Sequence, residues 1–148
     1  MKDEMYLILD SAGWYEHRNI NIDYELEILQ REGFTIPNEN ITMILKEFWN
    51  LRLEFTLPDG ASSDIELNIE TAIANFDDDA VKIYERIVDK ELIPVGVLHF
   101  QTALILVSLD LNFYLVAEEG IYRIAESFIS FLDVIINRKE VHKFTFEK

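Results

Sequence analysis

The densest group of reactive side chains in this 148-residue chain is Asp77-Asp78-Asp79. Clustered carboxylate oxygens are what a hard cation such as Ca²⁺ binds. Consecutive positions suit that chemistry poorly, because adjacent side chains point apart, and the spacing is not that of a calcium loop. The same three residues read as the opening of a helix, with Asp77 as its cap and its neighbours complementing the helix dipole. Asp78 and Asp79 then stay exposed and can add to a binding face. His17, His99 and His142 are scattered, without the spacing of a metal-binding helix. Ser62-Ser63 follow Asp59-Gly60 in a turn, outside any nucleophile motif. The five glycines lie far apart, so no phosphate-binding loop forms. With no cysteine, there is no disulfide framework and no thiolate metal site. No catalytic residue, cofactor or metal is expected. An enzyme using its carboxylates with a metal is the alternative that a rise in melting temperature with divalent cations would favour.

Charge points elsewhere. Twenty-eight acids face thirteen bases, a formal charge of −15. Such a field repels nucleic-acid phosphates and anionic lipid, and it attracts basic proteins. The expectation is a protein binder, with neither direct nucleic-acid nor membrane contact. Residues 1–74 hold fifteen of the acids against five bases, so the field is stronger there. Hydrophobic residues make up 49% of the chain, including ten Phe, six Tyr and two Trp, enough for a true core. Asp3 and Glu4 precede only a short apolar run, unlike an export signal. The most apolar region, 102–117, is interrupted by Asp110 and Asn112 and is too short to span a bilayer as a helix. The reading is one soluble, cytoplasmic domain over 1–148, expected as a monomer.

The elements follow from periodicity. Met5, Ile8, Leu9 and Ala12 mark a first helix stopped by Gly13. A second runs over 23–32 to Gly33. Pro37-Asn38 restarts the chain, and Ile41, Ile44, Leu45, Phe48 and Trp49 form a third stripe. At Leu51 the period becomes two: Leu51, Leu53, Phe55 and Leu57, then a Pro58-Asp59-Gly60 turn, then Ile65, Leu67 and Ile69. A fourth helix carries Val81, Tyr84, Ile87 and Val88. Strands are expected over 92–99, with Pro94 near the start, and over 103–109 and 113–117. A last helix carries Ala125, Phe128, Ile129, Leu132, Ile135 and Ile136. Val141 to Phe146 reads as an edge strand or a tail. Short turns between successive strands forbid parallel crossovers. The class is α+β, a mostly antiparallel sheet with helices packed on one face.

The hairpin alternation sends Glu54, Asp64, Glu66 and Glu70 to the face opposite Leu53, Phe55, Ile65 and Leu67. If Leu57 pairs with Ser63, Glu54 faces Glu66, a destabilising like-charge pair. If Leu57 pairs with Ile65, Glu66 faces Thr56 and Glu70 faces Arg52. Either way these acids, with Asp78 and Asp79, form the candidate partner surface. A merely solvated sheet face is the competing reading.

A wider series is also present. Ser11-Ala12-Gly13-Trp14 ends the first helix, with Arg18 four positions after the Trp. Glu47-Phe48-Trp49-Asn50-Leu51 ends the third. Ile93-Pro94-Val95-Gly96, the paired strands and the closing helix follow. In that order the series resembles the SUKH superfamily, most closely its third subfamily, over nearly the whole chain. Family members usually place Gly after the third helix and between the paired strands. Here Trp49-Asn50 and Asp110-Leu111-Asn112 stand instead, and Asn tolerates the left-handed backbone such turns need. Gly13, Trp14, Arg18, Pro94 and Gly96 are read as structural, with Trp14 covering the base of the first helix and Arg18 pairing with a carboxylate or capping carbonyls. The resemblance implies a bacterial immunity protein that binds and neutralises a cognate polymorphic toxin, often a nuclease or deaminase. The toxin would be basic and encoded beside this gene. A regulatory or scaffolding module that inhibits nothing is the alternative, favoured if the gene stands alone.

Overall fold

The structure, a computed structural model, describes residues 3–74, 76–99, 103–117, 120–137 and 142–144. It opens with three helices, α1 (Asp3–Ser11), α2 (Asp23–Arg31) and α3 (Glu39–Phe48). Each buries one stripe: Met5 and Leu9, then Ile28 and Leu29, then Ile41, Leu45 and Phe48. Gly13 and Gly33 follow the first two at φ of 103° and 87°. That lets the Trp14 and Phe34 amides return to the Leu9 and Leu29 carbonyls, at 3.0 and 2.9 Å. Asn38 caps α3 by accepting the Ile41 amide at 3.0 Å.

Strands β1 (Arg52–Thr56) and β2 (Ser62–Glu66) then form the expected hairpin, but in neither expected register. Arg52 faces Glu66, Glu54 faces Asp64 and Thr56 faces Ser62. The turn decides this. Gly60 sits at φ 89°, its amide donates to the Leu57 carbonyl at 2.9 Å, and the Leu57 amide donates to Ala61 at 2.7 Å. Pro58-Asp59-Gly60 is thus a complete three-residue loop, shorter than either expected pairing assumed. Ile69 and Glu70 also leave the strand. They begin α4 (Ile69–Ala74), a helix that periodicity did not reveal, opened by Asn68, whose side chain accepts the Thr71 amide at 3.0 Å.

Helix α5 (Asp78–Val88) is capped by Asp77, which accepts the Ala80 amide at 2.9 Å. Strands β3 (Leu92–Leu98), β4 (Ala103–Ser108), β5 (Phe113–Ala117) and β6 (Gly120–Ala125) follow, then α6 (Phe128–Asn137) and β7 (His142–Phe144). Strand β6 was not foreseen, and Ala125 belongs to it rather than to the last helix. Val141 and Phe146, ends of the expected final strand, lie outside the described residues. All seven strands make one antiparallel sheet in chain order, so the α+β reading holds. Every residue of β3 and β4 is buried, as their unbroken apolar runs require. On one sheet face, Phe113 meets Phe128 and Phe131 of α6 at ring-centroid distances of 5.9 and 5.7 Å.

Two left-handed residues replace glycine. Asn50 takes φ 60° after α3, as its side chain permits. In the β4–β5 turn, however, Leu111 rather than Asn112 takes the left-handed position, at φ 69°. The surroundings hold it there. The Ser108 amide donates to the Asn112 carbonyl and the Leu111 amide to the Ser108 carbonyl, both at 2.9 Å, Asn38 donates to the Leu109 carbonyl at 2.8 Å, and Arg123 donates to the Asn112 side chain at 3.0 Å. Asp110 takes bonds from Lys90 and Ser108.

Pro94 lies in β3 beyond the two residues that pair with β2, beside a register shift toward β4 where a missing amide is tolerated. Gly96 is needed for space. A Cβ there would stand 2.3 Å from the Glu66 carbonyl oxygen and 3.1 Å from the Leu67 Cα. The chain leaving β2 runs directly over this glycine. Gly96→Ala is expected to cost about 2–3 kcal/mol by forcing backbone apart, measured from the urea unfolding midpoint. An unchanged midpoint would contradict the close approach.

Candidate protein-binding surface

The register brings Arg52, Glu54, Asp64 and Glu66 onto the outer face of the β1–β2 hairpin, and β3 adds His99 just past its end. Asp64 is the centre of this group and only 7% exposed. Two guanidinium nitrogens of Arg52 lie 2.6 Å from its Oδ2. His99 Nδ1 bonds its Oδ1, and His99 Nε2 stands 3.7 Å from Glu66 Oε1. Burial works to raise the Asp64 carboxyl; the bonds and charges of His99 and Arg52 outweigh it and hold the group below its ordinary range. The Glu54–Asp64 like-charge pair is therefore compensated locally, through partners one row away. The face offers solvent Arg52, Glu54 and His99, with Glu66 half-buried, beside a shallow depression of about 250 Å³ bordered by Ser62 and His99. Arg52 and His99 were not among the expected site residues. The alternation that placed Glu54 outward also placed Arg52 there, but His99 enters only through the β2–β3 pairing.

The other expected residues stand apart. Glu70 is exposed in the first turn of α4. Asp79 is exposed at the start of α5, and Asp78 there pairs with Lys82 at 3.4 Å. The six acids thus divide among the hairpin, α4 and α5, and only Glu54, Asp64 and Glu66 share a surface. Among the described residues no three His, Asp or Glu side chains converge as a metal group, and no helix is long and apolar enough to cross a membrane.

The end of α3 gathers a second group. Trp14 is buried, donates its indole N–H to Glu47 Oε2 at 3.1 Å and stacks over Phe48 at 6.4 Å. Arg18 sends one Nη to the Glu47 carbonyl and the other to the Trp49 carbonyl, both at 2.8 Å. These are helix-end carbonyls with no intrahelical partner, so a cation there complements the dipole. Burial lowers the Arg18 guanidinium from its ordinary value, opposed by the nearby Tyr15. On the other side, Trp49 donates its indole N–H to Glu25 at 3.0 Å. Beside this knot lies a groove of about 630 Å³ between the 14–19 loop and α3.

Comparison with known proteins adds one finding. Residues 1–138 match the family described as SUKH-3 immunity protein. No curated protein and no solved structure matches the chain.

Two hydrogen-bonded carboxylates, Asp64 buried and Asp110 exposed, predict an acid limb of stability. Asp64 is held below its ordinary range as described. Asp110 is held well below it by the Lys90 hydrogen bond first and the Ser108 bond second. A carboxyl depressed in the folded state stabilises fully above its unfolded value of about 3.9, and the contribution drains away as pH falls below that. Asp64→Asn is expected to cost about 1–3 kcal/mol near neutral pH. In urea unfolding, the gaps between the parent and both Asp64→Asn and Asp110→Asn should narrow between pH 6 and pH 3. A gap that stays constant across that range would contradict the depressed carboxyls.

Proposed function

The chain belongs to the SUKH-3 immunity protein family, and from that membership we propose that it neutralises one cognate toxin domain by binding it stoichiometrically, without turnover. The observation that carries the reading is the family match over 1–138. The charge of −15 supports its finer part, that the toxin is basic. A nuclease or a deaminase acting on nucleic acid must attract phosphate and presents cationic surface to do so. An acidic protein opposes that surface with carboxylates where phosphates would lie. Complementary fields raise the encounter rate, while affinity comes from a few desolvated anchors. An immunity protein needs both, because its toxin must be captured before it reaches its substrate.

The reading is tested by co-expression with the C-terminal domain encoded in the adjoining reading frame. Growth should be rescued, and the two chains should purify as one complex of defined stoichiometry. Failure of rescue and of co-purification would remove the immunity role for that pair. Stopped-flow association should slow steeply as salt shortens the Debye length from about 30 Å at 0.01 M to about 8 Å at 0.15 M. A rate that ignores salt would remove electrostatic capture.

A further inference from the structure

We propose that the open edge of β1 takes up an extended, cationic segment of the toxin as an added strand, with a Lys or Arg of that segment opposite Glu54. This rests on the immunity reading and names the contact that serves it.

The sheet begins at β1, which pairs with β2 alone. Two bonds fix which of its backbone groups β2 takes up. The Leu57 amide donates to the Ala61 carbonyl at 2.7 Å, and the Leu67 amide donates to the Leu51 carbonyl at 3.1 Å. The register between these bonds is unbroken. Leu51, Leu53, Phe55 and Leu57 therefore bond to β2, while Arg52, Glu54 and Thr56 send their N–H and C=O groups to the far side. The next strand obeys the same alternation. Asp64, opposite Glu54, turns its carbonyl away from β1 to accept the His99 amide at 3.0 Å. The backbone groups of Arg52, Glu54 and Thr56 have no hydrogen-bond partner among the described residues. Helix α1 lies against β1 but leaves all three of these residues exposed.

Such an edge is a template for another strand. Natural sheets close it with proline, lysine, a bulge or a covering element. Arg52–Thr56 contains no proline and no lysine, and its pairing has no bulge. An added strand gains main-chain bonds from the edge and specificity from its alternate side chains.

Charge selects the occupant. Side chains of an added strand line up with those of β1, so a residue opposite Glu54 stands on the outer face. The row beside it follows Leu53 and Phe55, which are buried on the other face. On the outer face three carboxylates, Glu54, Asp64 and Glu66, meet one guanidinium and the His99 ring. Arg52 is committed to Asp64, with two nitrogens 2.6 Å from Oδ2. Glu54, in the row at the edge, makes no ion pair among the described residues. A cation opposite it supplies the cross-strand pair that it lacks. A second copy of this chain fits less well. It would bring two charges of −15 together, and each Glu54 would meet only an Arg52 already held by Asp64. The occupant that suits both rows alternates Lys or Arg with apolar residues.

The test measures amide hydrogen exchange in the whole ¹⁵N-labelled chain. It is run alone, with the toxin domain encoded in the adjoining reading frame, and with an alternating lysine–valine octapeptide. In the free chain the Arg52, Glu54 and Thr56 amides should exchange about tenfold faster than those of Leu53 and Phe55, or more. In either complex the three should slow by about tenfold or more, while Leu53 and Phe55 change little. Two further octapeptides carry N-methyl groups on the lysines or on the valines. Their charge is equal, yet only one keeps the donors that face β1, so their affinities should differ about tenfold. Glu54→Gln should weaken the parent peptide about twofold to fivefold, with an unchanged melting curve. Equal affinity of the two methylated peptides would mean that charge alone holds them, and the added strand would fall. Protection of the three amides that grows with protein concentration in the free chain would give the edge to a second copy instead. If the toxin co-purifies and rescues growth but the three amides stay fast, the edge is wrong and the immunity role stands. If the toxin does not bind at all, the immunity role fails for that pair, and the octapeptides still decide the edge.

Discussion

The fold turns on one junction, where the chain leaves α3 and enters β1. A helix end exposes carbonyls, and the strand that follows must leave at a sharp angle. Arg18 answers the first demand by donating to the Glu47 and Trp49 carbonyls. Asn50 answers the second with its left-handed backbone, while its amide reaches the Leu67 carbonyl at 2.9 Å. The two tryptophans flank the junction and tie it to α1 and α2 through Glu47 and Glu25. Three helices and the hairpin therefore meet at one point. Removing Arg18 would leave two partly buried carbonyls without a donor, a penalty larger than the loss of a surface pair.

The acidic composition places a second demand on the molecule. Self-repulsion at −15 works against compactness. The structure answers with apolar continuity, since all of β3 and β4 is buried and the core cluster runs from α1 to α6. It also places its scarce cations where they matter. Arg52 serves Asp64, Lys90 serves Asp110, Arg18 serves the helix end, and Arg123 serves the β4–β5 turn. Most other acids are left facing water. A strong outward field is then a consequence of composition, available to any partner of opposite sign.

Most of the fold was legible because most elements carry a clean period and a stop. Gly13, Gly33 and the Asn38 cap fall at helix limits, and the alternation over 51–57 gives β1. The failures have local causes. Ile69 continues the beat of Ile65 and Leu67, so α4 looked like strand, and only Asn68 at its cap signals a helix. Ile121, Ile124 and Ala125 keep helical spacing ahead of Phe128, which hid β6. The true start of α6 is marked by Ser127, whose hydroxyl accepts the Ser130 amide at 3.2 Å. The register was missed because alternation fixes which face a residue takes but not which partner it meets, and the loop length decides that. The site was less legible than the fold for the same reason. Acids on alternating positions were easy to find, whereas the pairing of Asp64 with His99, thirty-five residues away, exists only once β3 lies beside β2.

That difference bears on how the exposed surface is built. Glu54 and Glu66 sit on strands held by ladder bonds, so their positions are set by the sheet. Tyr6, Glu16 and Met43 come from a helix, a loop and a second helix. Their relative placement depends on the Arg18 junction and the stacked Trp14 and Phe48 beneath it. Side chains on such elements can change without touching the sheet, because the backbone beneath them is fixed by Trp14, Phe48 and Arg18. A scaffold of this kind separates the residues that fold it from the exposed side chains it carries. Long-range attraction comes from the excess of carboxylates and needs no exact placement. Short-range contour is set by the exposed side chains that the rigid base presents. Field and contour are set by different residues, so one can change while the other is kept.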